Sequence, residues 1–227
     1  MANPMEMYIW FHDAILRELA GVEDAARNLN REKSDEIEEF GEHISWFHSV
    51  TKEHERAEET ILFPALEGRY TKVAASYEFD HDYFEPNYFG EINACVEALS
   101  RAHDNDERIA QATRIHRQSV ALNEVMRLHI TKENELLLPV IGSEFNVDEQ
   151  IDIATRMGAL FDPKLIGEVS VWMYRGQNGS DRENFLRFLI RALPDEAFGK
   201  LAGVLSGIGP ATEWASFESR IPELRRN

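Results

Sequence analysis

Apolar and polar positions alternate with the period of an α-helix over roughly the first 140 residues of the chain. Glycine and proline interrupt this pattern at only a few places. Four long helices are predicted: about Pro4 to Asn28 with Asn3 as N-cap, Ser34 to Glu67, Ser76 to Ala102 with a kink at Pro86, and Glu107 to Pro139. Long helices with short connections favour an all-α fold, here an up-down-up-down four-helix bundle.

The pattern changes after Gly142, where glycine and proline divide the chain into shorter helical segments. Asn146 with Glu149, and Ser180 with Glu183, have the spacing of capping boxes. We therefore predict two parts, a bundle over residues 1–145 and a C-terminal helical extension over residues 146–227. The extension either packs against the bundle or a partner, or serves only as structural cladding.

Composition narrows the functional classes. The 227 residues include 41 acidic and 24 basic side chains, for a formal net charge of -17. Such a charge repels phosphate backbones and argues against nucleic-acid binding. A lone cysteine, Cys95, fits a reducing compartment, and no stretch has the length and apolar character of a signal peptide or a membrane span. We expect a cytoplasmic protein with no membrane partner.

A duplicated segment carries the candidate chemistry. The run from His54 to Pro64 can be laid on the run from His129 to Pro139, with a glutamate four residues after the histidine and an apolar triplet before the proline in both. A second histidine lies upstream of each copy, on another predicted helix: His12 precedes the first and His81 the second. The chain thus consists of two helical hairpins that each offer two histidines and one glutamate.

Helical geometry brings the two ligand types of each copy to one spot, because residues i and i+4 lie on the same face one turn apart. His54 with Glu58, and His129 with Glu133, fall on predicted apolar stripes, as do His12 and His81. The predicted stripe neighbours are Tyr8, Ile9, Ile15, Leu16 and Leu19; Phe47, Val50, Ile61, Leu62 and Ala65; Phe84, Tyr88, Phe89 and Ile92; Leu122, Met126, Leu136, Leu137 and Val140.

Burying six such groups without a partner would cost a large part of a stability of about 5–15 kcal/mol. A single His-x-x-x-Glu on a helix is usually a solvated ion pair, but two copies in matched apolar contexts favour a metal site. The other histidines (His43, His48, His103 and His116) fall outside the pattern, and we expect them at the surface or around the site.

Four imidazoles and two carboxylates suit two metal ions better than one. If both carboxylates bridge, each ion has two histidines, two carboxylate oxygens and a solvent-derived oxo or hydroxo bridge, with a sixth position open. Mixed imidazole and carboxylate ligands with an open position are typical of non-haem iron, whereas structural zinc sites are closed and four-coordinate. Two iron ions are the expected cofactor, with manganese or zinc a poorer fit.

These residues resemble the hemerythrin-like, or HHE, cation-binding domains. The resemblance covers roughly residues 5–142 and rests on the early histidine, the His54 motif with its Leu-Phe-Pro, the third-helix His81-Asp82 and the His129 motif before Leu-Pro. It implies His12, His54, Glu58, His81, His129 and Glu133 as di-iron ligands, with Glu58 and Glu133 bridging. The C-terminal part, with Trp172 and the stretch from Asp181 to Glu183, is similar to an extension found on some bacterial members.

One position departs from the family pattern. Oxygen-carrying hemerythrins have a further histidine one turn before the third-helix one, where this chain has Tyr77. Tyr77 is a phenolate ligand, a hydrogen-bond donor to a bound oxygen species, or a core aromatic, and we predict it as both a metal-site and a catalytic candidate. Glu55 and Glu85 are lesser ligand candidates. The change argues against simple reversible oxygen carriage.

The resemblance implies chemistry with a small oxidant, which means binding or reduction of dioxygen, hydrogen peroxide or nitric oxide, and it extends to catalase-like peroxide breakdown. The alternative is an iron- or oxygen-sensing regulatory module whose fold depends on metal occupancy. Its C-terminal helices would then contact a protein partner or a second copy of the chain. Iron storage is disfavoured, because nothing in the sequence indicates a cage-forming surface.

Overall fold

The computed structural model describes residues 6–226, all helical apart from the connections between helices. Two compact units are present: residues 15–141, and residues 6–14 together with 142–226. Helix α1 contributes to both units, so the predicted division into domains 1–145 and 146–227 stays a prediction. The predicted helix start at Asn3 and Pro4 lies outside the described residues.

The larger unit contains the predicted four-helix bundle. Three of its long helices are each interrupted by a π-helical segment, in which the backbone hydrogen bonds span one residue more than in an α-helix. The elements are α1 (Glu6–Asn28); α2 (Ser34–Ala57), π1 (Glu58–Leu62) and α3 (Phe63–Glu67); α4 (Ala75–Phe84), π2 (Glu85–Phe89) and α5 (Gly90–Arg101); α6 (Asn105–Lys132), π3 (Glu133–Leu137) and α7 (Leu138–Glu144).

Each helix of the bundle has two neighbours. Helix α5 packs against both α2 and α6. Polar pairs mark three of the contacts: Glu18 with His43 between α1 and α2, Glu23 with Asn123 between α1 and α6, and Glu91 with Arg114 between α5 and α6. The four helices therefore surround a common core, as the sequence predicts.

The three π-helical segments begin at equivalent places. Each starts at a glutamate that follows a histidine by four residues: Glu58 after His54, Glu85 after His81 and Glu133 after His129. Pro86 lies inside the second segment, so the interruption predicted there takes the form of a π-helical segment. Such segments are frequent at functional sites.

The π-helical segments also explain where the predicted apolar stripes are wrong. One extra residue rotates the positions that follow by about 100°. After π3 the core therefore contains Leu137, Leu138 and Ile141, whereas Leu136 is 61% exposed. The same shift buries Leu66 in place of Ala65 and Phe89 in place of Tyr88. Ile9 of α1, also predicted on an apolar stripe, is exposed.

The second unit is a set of shorter helices: α8 (Val147–Gly158), α9 (Pro163–Arg175), α10 (Gly179–Ala192), α11 (Asp195–Leu205), α12 (Ala211–Arg220) and a terminal 3-10 segment (Pro222–Arg226). The capping box of Asn146 with Glu149 is confirmed. The predicted cap at Ser180 is wrong by two residues, because the Asn178 side chain accepts the backbone N–H bonds of Ser180 and Asp181.

Aromatic side chains and one arginine hold this unit together. Trp10 packs edge-to-face on Phe185. The Arg182 guanidinium donates to Glu213 Oε2 at 2.7 Å and to the carbonyl of Tyr174, near the end of α9.

Among residues 6–226, no helix combines the length and apolar character needed to cross a bilayer.

Candidate metal centre

Two buried carboxyls form the middle of the site. Glu58 and Glu133 stand at the starts of π1 and π3 and are completely excluded from solvent. Each lies one turn after a buried histidine on the same helix, with His54 Nε2 3.3 Å from Glu58 Oε1 and His129 Nε2 3.3 Å from Glu133 Oε1. The duplicated motif therefore gives two equivalent imidazole–carboxylate pairs, on the second and fourth helices of the bundle.

A third histidine reaches the same place from α4. The Nε2 atom of His81 lies 3.2 Å from Nε2 of His129 and 3.3 Å from Glu58 Oε2. Phe63 stacks on the His81 ring at a centroid distance of 5.8 Å, and Phe84 packs edge-to-face on His129. These aromatic contacts limit the rotation of both imidazoles.

Possible ligand atoms fall into two groups that share both carboxyls. One atom each from Glu58, His81, His129 and Glu133 lies within 4.8 Å of the others. The corresponding atoms of His54, Glu58 and Glu133 also lie within 4.8 Å of one another. Five of the six predicted ligands thus converge, in an arrangement that could hold metal.

Two further carboxylates contact the imidazoles from outside. Asp80 Oδ2 is 3.0 Å from His129 Nδ1, and Glu59 Oε1 is 2.9 Å from His81 Nδ1. The Lys132 ammonium lies 2.5 Å from Asp80 Oδ2. The sequence analysis did not identify Asp80, Glu59 or Lys132. The one indication of a role is that each is next to a predicted ligand in the chain: Asp80 precedes His81, Glu59 follows Glu58 and Lys132 precedes Glu133.

Electrostatics in the metal-free cluster are unfavourable. Burial, together with the charge of Glu133, raises the pKa of Glu58 well above its ordinary value. Burial and the neighbouring His129 lower the pKa of His81 to about 4. Burial alone would lower the pKa of His129 as well, but Glu133 and Asp80 raise it. Burial therefore favours the neutral forms of Glu58 and His81 when no metal is bound.

A bound cation would resolve this conflict. Within residues 6–226, neither oxygen of Glu58 accepts a hydrogen bond. The two imidazoles whose Nδ1 atoms contact carboxylates direct their Nε2 atoms toward each other and toward Glu58 and Glu133. Several lone pairs aimed at one small volume are the donor set of a metal site, and mixed imidazole nitrogen and carboxylate oxygen suits iron. The residues present fit a metal.

The sixth predicted ligand, His12, lies on α1 and is completely buried. Tyr8, one turn earlier, packs edge-to-face on its ring at a centroid distance of 4.4 Å. Helix α1 continues without interruption to Asn28, so His12 shares one helical stripe with Ile15 and Leu19. The ligand role of His12 stays a prediction.

Tyr77 lies on α4, one turn before His81, and is buried. Its hydroxyl donates to the carbonyl oxygen of Lys132 at 3.5 Å, and the Lys132 ammonium sits 4.6 Å from the centre of its ring. Burial, with the charges of Glu133 and Asp80, raises the pKa of Tyr77 above its ordinary value. This environment favours the neutral phenol over a phenolate.

The lesser candidates lie at the edge of the site. Glu85 is half exposed and its carboxylate pairs with Lys52 at 3.0 Å. Glu55 is half-buried, and desolvation with the charges of Glu59, Glu85 and Glu133 raises its pKa to about 8. Neither residue belongs to the two groups of converging ligand atoms.

The remaining histidines are away from the convergent groups. His43 pairs with Glu18 and is partly exposed, and His48 stacks on Phe89 at a centroid distance of 4.5 Å. His103 is exposed, and His116 is partly exposed with its Nε2 atom buried. None of these four belongs to a group of possible metal ligands in residues 6–226.

A helical bundle with imidazoles and glutamates convergent in its core defines a metal-binding protein of the bundle class. A sequence profile of the hemerythrin HHE cation-binding domain matches residues 6–141. The chain therefore belongs to the hemerythrin HHE cation-binding family, as the resemblance implied. No solved structure is significantly similar to it.

Two curated plant proteins are similar in sequence. The chain is 27% identical over 177 residues to zinc finger protein BRUTUS of Arabidopsis thaliana, covering 74% of the chain and 14% of that protein. It is 22% identical over 173 residues to a BRUTUS-like zinc finger protein of the same plant, covering 75% of the chain and 13% of that protein. The chain thus spans only a small part of the length of either relative. Both alignments are longer than the matched domain, so they include part of the helical segment after residue 141.

Proposed function

We propose that this protein holds two iron ions in the bundle core and uses them to bind or reduce a small oxidant. The observation that carries the proposal is the pair of ligand groups that share Glu58 and Glu133. His81 and His129 would complete one ion's ligands, and His54 with His12 the other's. Complete burial of His12, on a helix whose stripe continues into the bundle core, supports its place in this set.

Iron is proposed over zinc on the chemistry of the donors. Zinc in structural sites is held by four ligands, commonly with cysteine, in a closed tetrahedral shell. The only cysteine, Cys95, is buried and lies on α5, outside the ligand groups. Imidazoles combined with two shared carboxylates suit iron, and manganese is the next candidate.

The iron ions would supply the electrons for oxidant reduction, while residues of the chain control access and protons. Phe63 and Phe84 shield His81 and His129 from solvent. We propose Tyr77 as the residue that donates a hydrogen bond or proton to the oxidant, supported by its burial beside His129 and its neutral phenol. Dioxygen, hydrogen peroxide and nitric oxide consist of only two to four atoms, which suits a site whose ligand residues are buried.

The test combines a metal analysis with an optical spectrum. Aerobically purified, iron-loaded protein should contain close to two irons per chain and absorb in the near-UV and visible. Glu58→Ala with Glu133→Ala should abolish both signals, and Glu91→Ala, which removes an exposed carboxylate of the same bundle, should leave them unchanged. A colourless wild-type protein with stoichiometric zinc would contradict the proposal.

A regulatory module is the second candidate. Two observations favour it: the ligands are buried in the core, so that metal binding adds directly to folding free energy, and the chain matches only 14% of a much longer relative. In this case the helices after residue 141 would contact a protein partner or a second copy of the chain, and that contact would depend on metal occupancy. The lone buried Cys95 supports a reducing compartment such as the cytoplasm for either version.

Two measurements separate the candidates. The first is oxygen evolution on mixing the iron-loaded protein with hydrogen peroxide. The second is the protease resistance of residues 146–227 with and without iron. Many turnovers per site without a change in protection support oxidant chemistry, and a change in protection without turnover supports the regulatory module.

A further inference from the structure

The ring of His129 is held from the side opposite its inward-facing nitrogen. Nδ1 of His129, on α6, lies 3.0 Å from Oδ2 of Asp80, on α4. The same carboxylate oxygen is 2.5 Å from the Lys132 ammonium, which also donates to the carbonyl of Ser76 at 3.2 Å. Asp80, Lys132 and His129 therefore form one connected group between the two helices.

This contact decides which nitrogen of the ring carries the proton. A carboxylate accepts hydrogen bonds and does not donate them when ionised, so Nδ1 of His129 must carry the hydrogen that Asp80 accepts. Nε2 is then free to offer its lone pair toward Glu133 and His81. The Lys132 ammonium on the same Oδ2 atom stabilises the carboxylate form of Asp80, which accepts from Nδ1.

The second imidazole of this group has a different partner. Glu59 contacts Nδ1 of His81 at 2.9 Å, but its side chain is 42% exposed. Within residues 6–226 Glu59 forms no ion pair with a lysine or arginine, and its neighbour Asp82 is also acidic. Of these two Nδ1 contacts, only that of His129 is fixed by a cation, the half-buried Lys132 ammonium.

We propose that Asp80, fixed in place by Lys132, is a positioning residue that sets the tautomer and orientation of His129 for metal binding. The proposal rests on the proposed function, because it assigns His129 to a metal. Outer carboxylates of this kind orient ligating histidines in general, and their loss typically weakens metal binding about 10- to 100-fold. Lys132 adds a constraint that can be removed without altering any ligand.

Substitutions at two positions test the device. Asp80→Ala removes the acceptor of the Nδ1 proton, so the proton of His129 should shift toward Nε2, which can donate to Glu133. Lys132→Met should lose less Fe(II) affinity, because Asp80 remains but is no longer fixed. Lys132→Arg, which keeps the positive charge, should retain the wild-type Fe(II) affinity. Arg114→Met is the matched control. Arg114 lies on α6 like Lys132, about 27 Å away along the helix, and its substitution breaks an ion pair to Glu91 on α5.

The first readout needs no metal. Nitrogen-15 NMR of the histidine rings in metal-free protein at pH 8 should show the proton of His129 on Nδ1 in the wild type. It should show the proton shifted toward Nε2 in Asp80→Ala. Thermal unfolding of the metal-free variants reports whether each still folds, and the Lys132 pair provides the test if Asp80→Ala does not.

The second readout is the affinity for Fe(II) alone, measured anaerobically by competition with a chelator. Asp80→Ala should bind about 10- to 100-fold more weakly than the wild type, and Arg114→Met as tightly as the wild type. Wild-type Nδ1 protonation and wild-type Fe(II) affinity in both Asp80→Ala and Lys132→Met would overturn the proposal. If the wild type itself binds no Fe(II), the proposed function fails, while the NMR readout still decides whether Asp80 sets the tautomer.

Discussion

The Nε2 atoms of His81 and His129 lie 3.2 Å apart, although the two residues are on different helices and 48 positions apart in the chain. Both Nδ1 atoms contact carboxylates, so both Nε2 atoms direct lone pairs into the space between them. Two lone pairs at this distance repel each other unless a proton or a metal lies between them. Because of this short Nε2–Nε2 distance, the stability of the bundle core depends on whether a proton or a metal is bound there.

Metal should stabilise the fold strongly. Because the ligands are buried and belong to the folded state, free metal at about 1,000 times its dissociation constant should add about 4 kcal/mol to the free energy of unfolding. Thermal unfolding followed by circular dichroism, with Fe(II) under anaerobic conditions and with a chelator, measures this. His129→Ala should lose most of the difference, whereas His103→Ala, at an exposed position, should keep it.

The metal-free protein should become less stable between pH 6.5 and pH 8. The pKa of Glu55 is raised from 4.5 to about 8 by burial and by the charges of Glu59, Glu85 and Glu133, with Lys52 opposing. A raised pKa means that the folded state binds more protons than the unfolded state, so stability falls as the pH rises through this range.

One such group contributes a slope of at most about 1.4 kcal/mol per pH unit. The window begins at pH 6.5 because the lowered pKa of His81, about 4, acts in the opposite direction only below that point. Urea unfolding in the presence of a chelator at both pH values gives the slope. Glu55→Gln should reduce it, and an unchanged slope in that variant would assign the effect to other groups.

Tyr77→Phe separates the roles of the phenol. The hydroxyl donates one long hydrogen bond, 3.5 Å to the Lys132 carbonyl, so its removal should change the free energy of unfolding by only about 1 kcal/mol. If the hydroxyl serves the oxidant, stopped-flow mixing of the iron-loaded variant with peroxide should show a clearly slower reaction. An unchanged rate would leave Tyr77 as a core aromatic.

Neighbouring leucines test the register that π3 imposes. Leu137→Ala removes a buried side chain and should cost about 2–5 kcal/mol of stability. Leu136→Ala alters a side chain that is 61% exposed and should stay within about 0.5 kcal/mol of the wild type. Urea denaturation of both variants under one condition makes the comparison, and similar losses would mean that the helix has no extra residue at π3.

Much of the fold follows from local pattern. The apolar period predicted the four helices of the bundle, and the duplicated motif predicted that six polar groups face inward. All six, from His12 to Glu133, are buried. The pairing of His54 with Glu58 and of His129 with Glu133 was predictable because the geometry of a single helix fixes the i to i+4 relationship.

Two features were not predictable in this way. The π-helical segments shift the core face after each glutamate, as the exposed Leu136 demonstrates, because a uniform period of 3.6 residues contains no signal for one inserted residue. The sequence predicted Ser180 as the N-cap of α10, but the N-cap is Asn178. Serine and asparagine are both good N-caps, so the sequence does not decide between two positions this close together.

The sequence by itself determined which residues lie on one helix face, and therefore that imidazoles and carboxylates must meet in an apolar core. Only the tertiary structure decided that His81 approaches His129 and that Asp80 with Lys132 holds the latter. The physical reason is that contacts within a helix depend on backbone geometry alone. Contacts between helices depend on how complete side-chain surfaces pack, and no period along the chain encodes that.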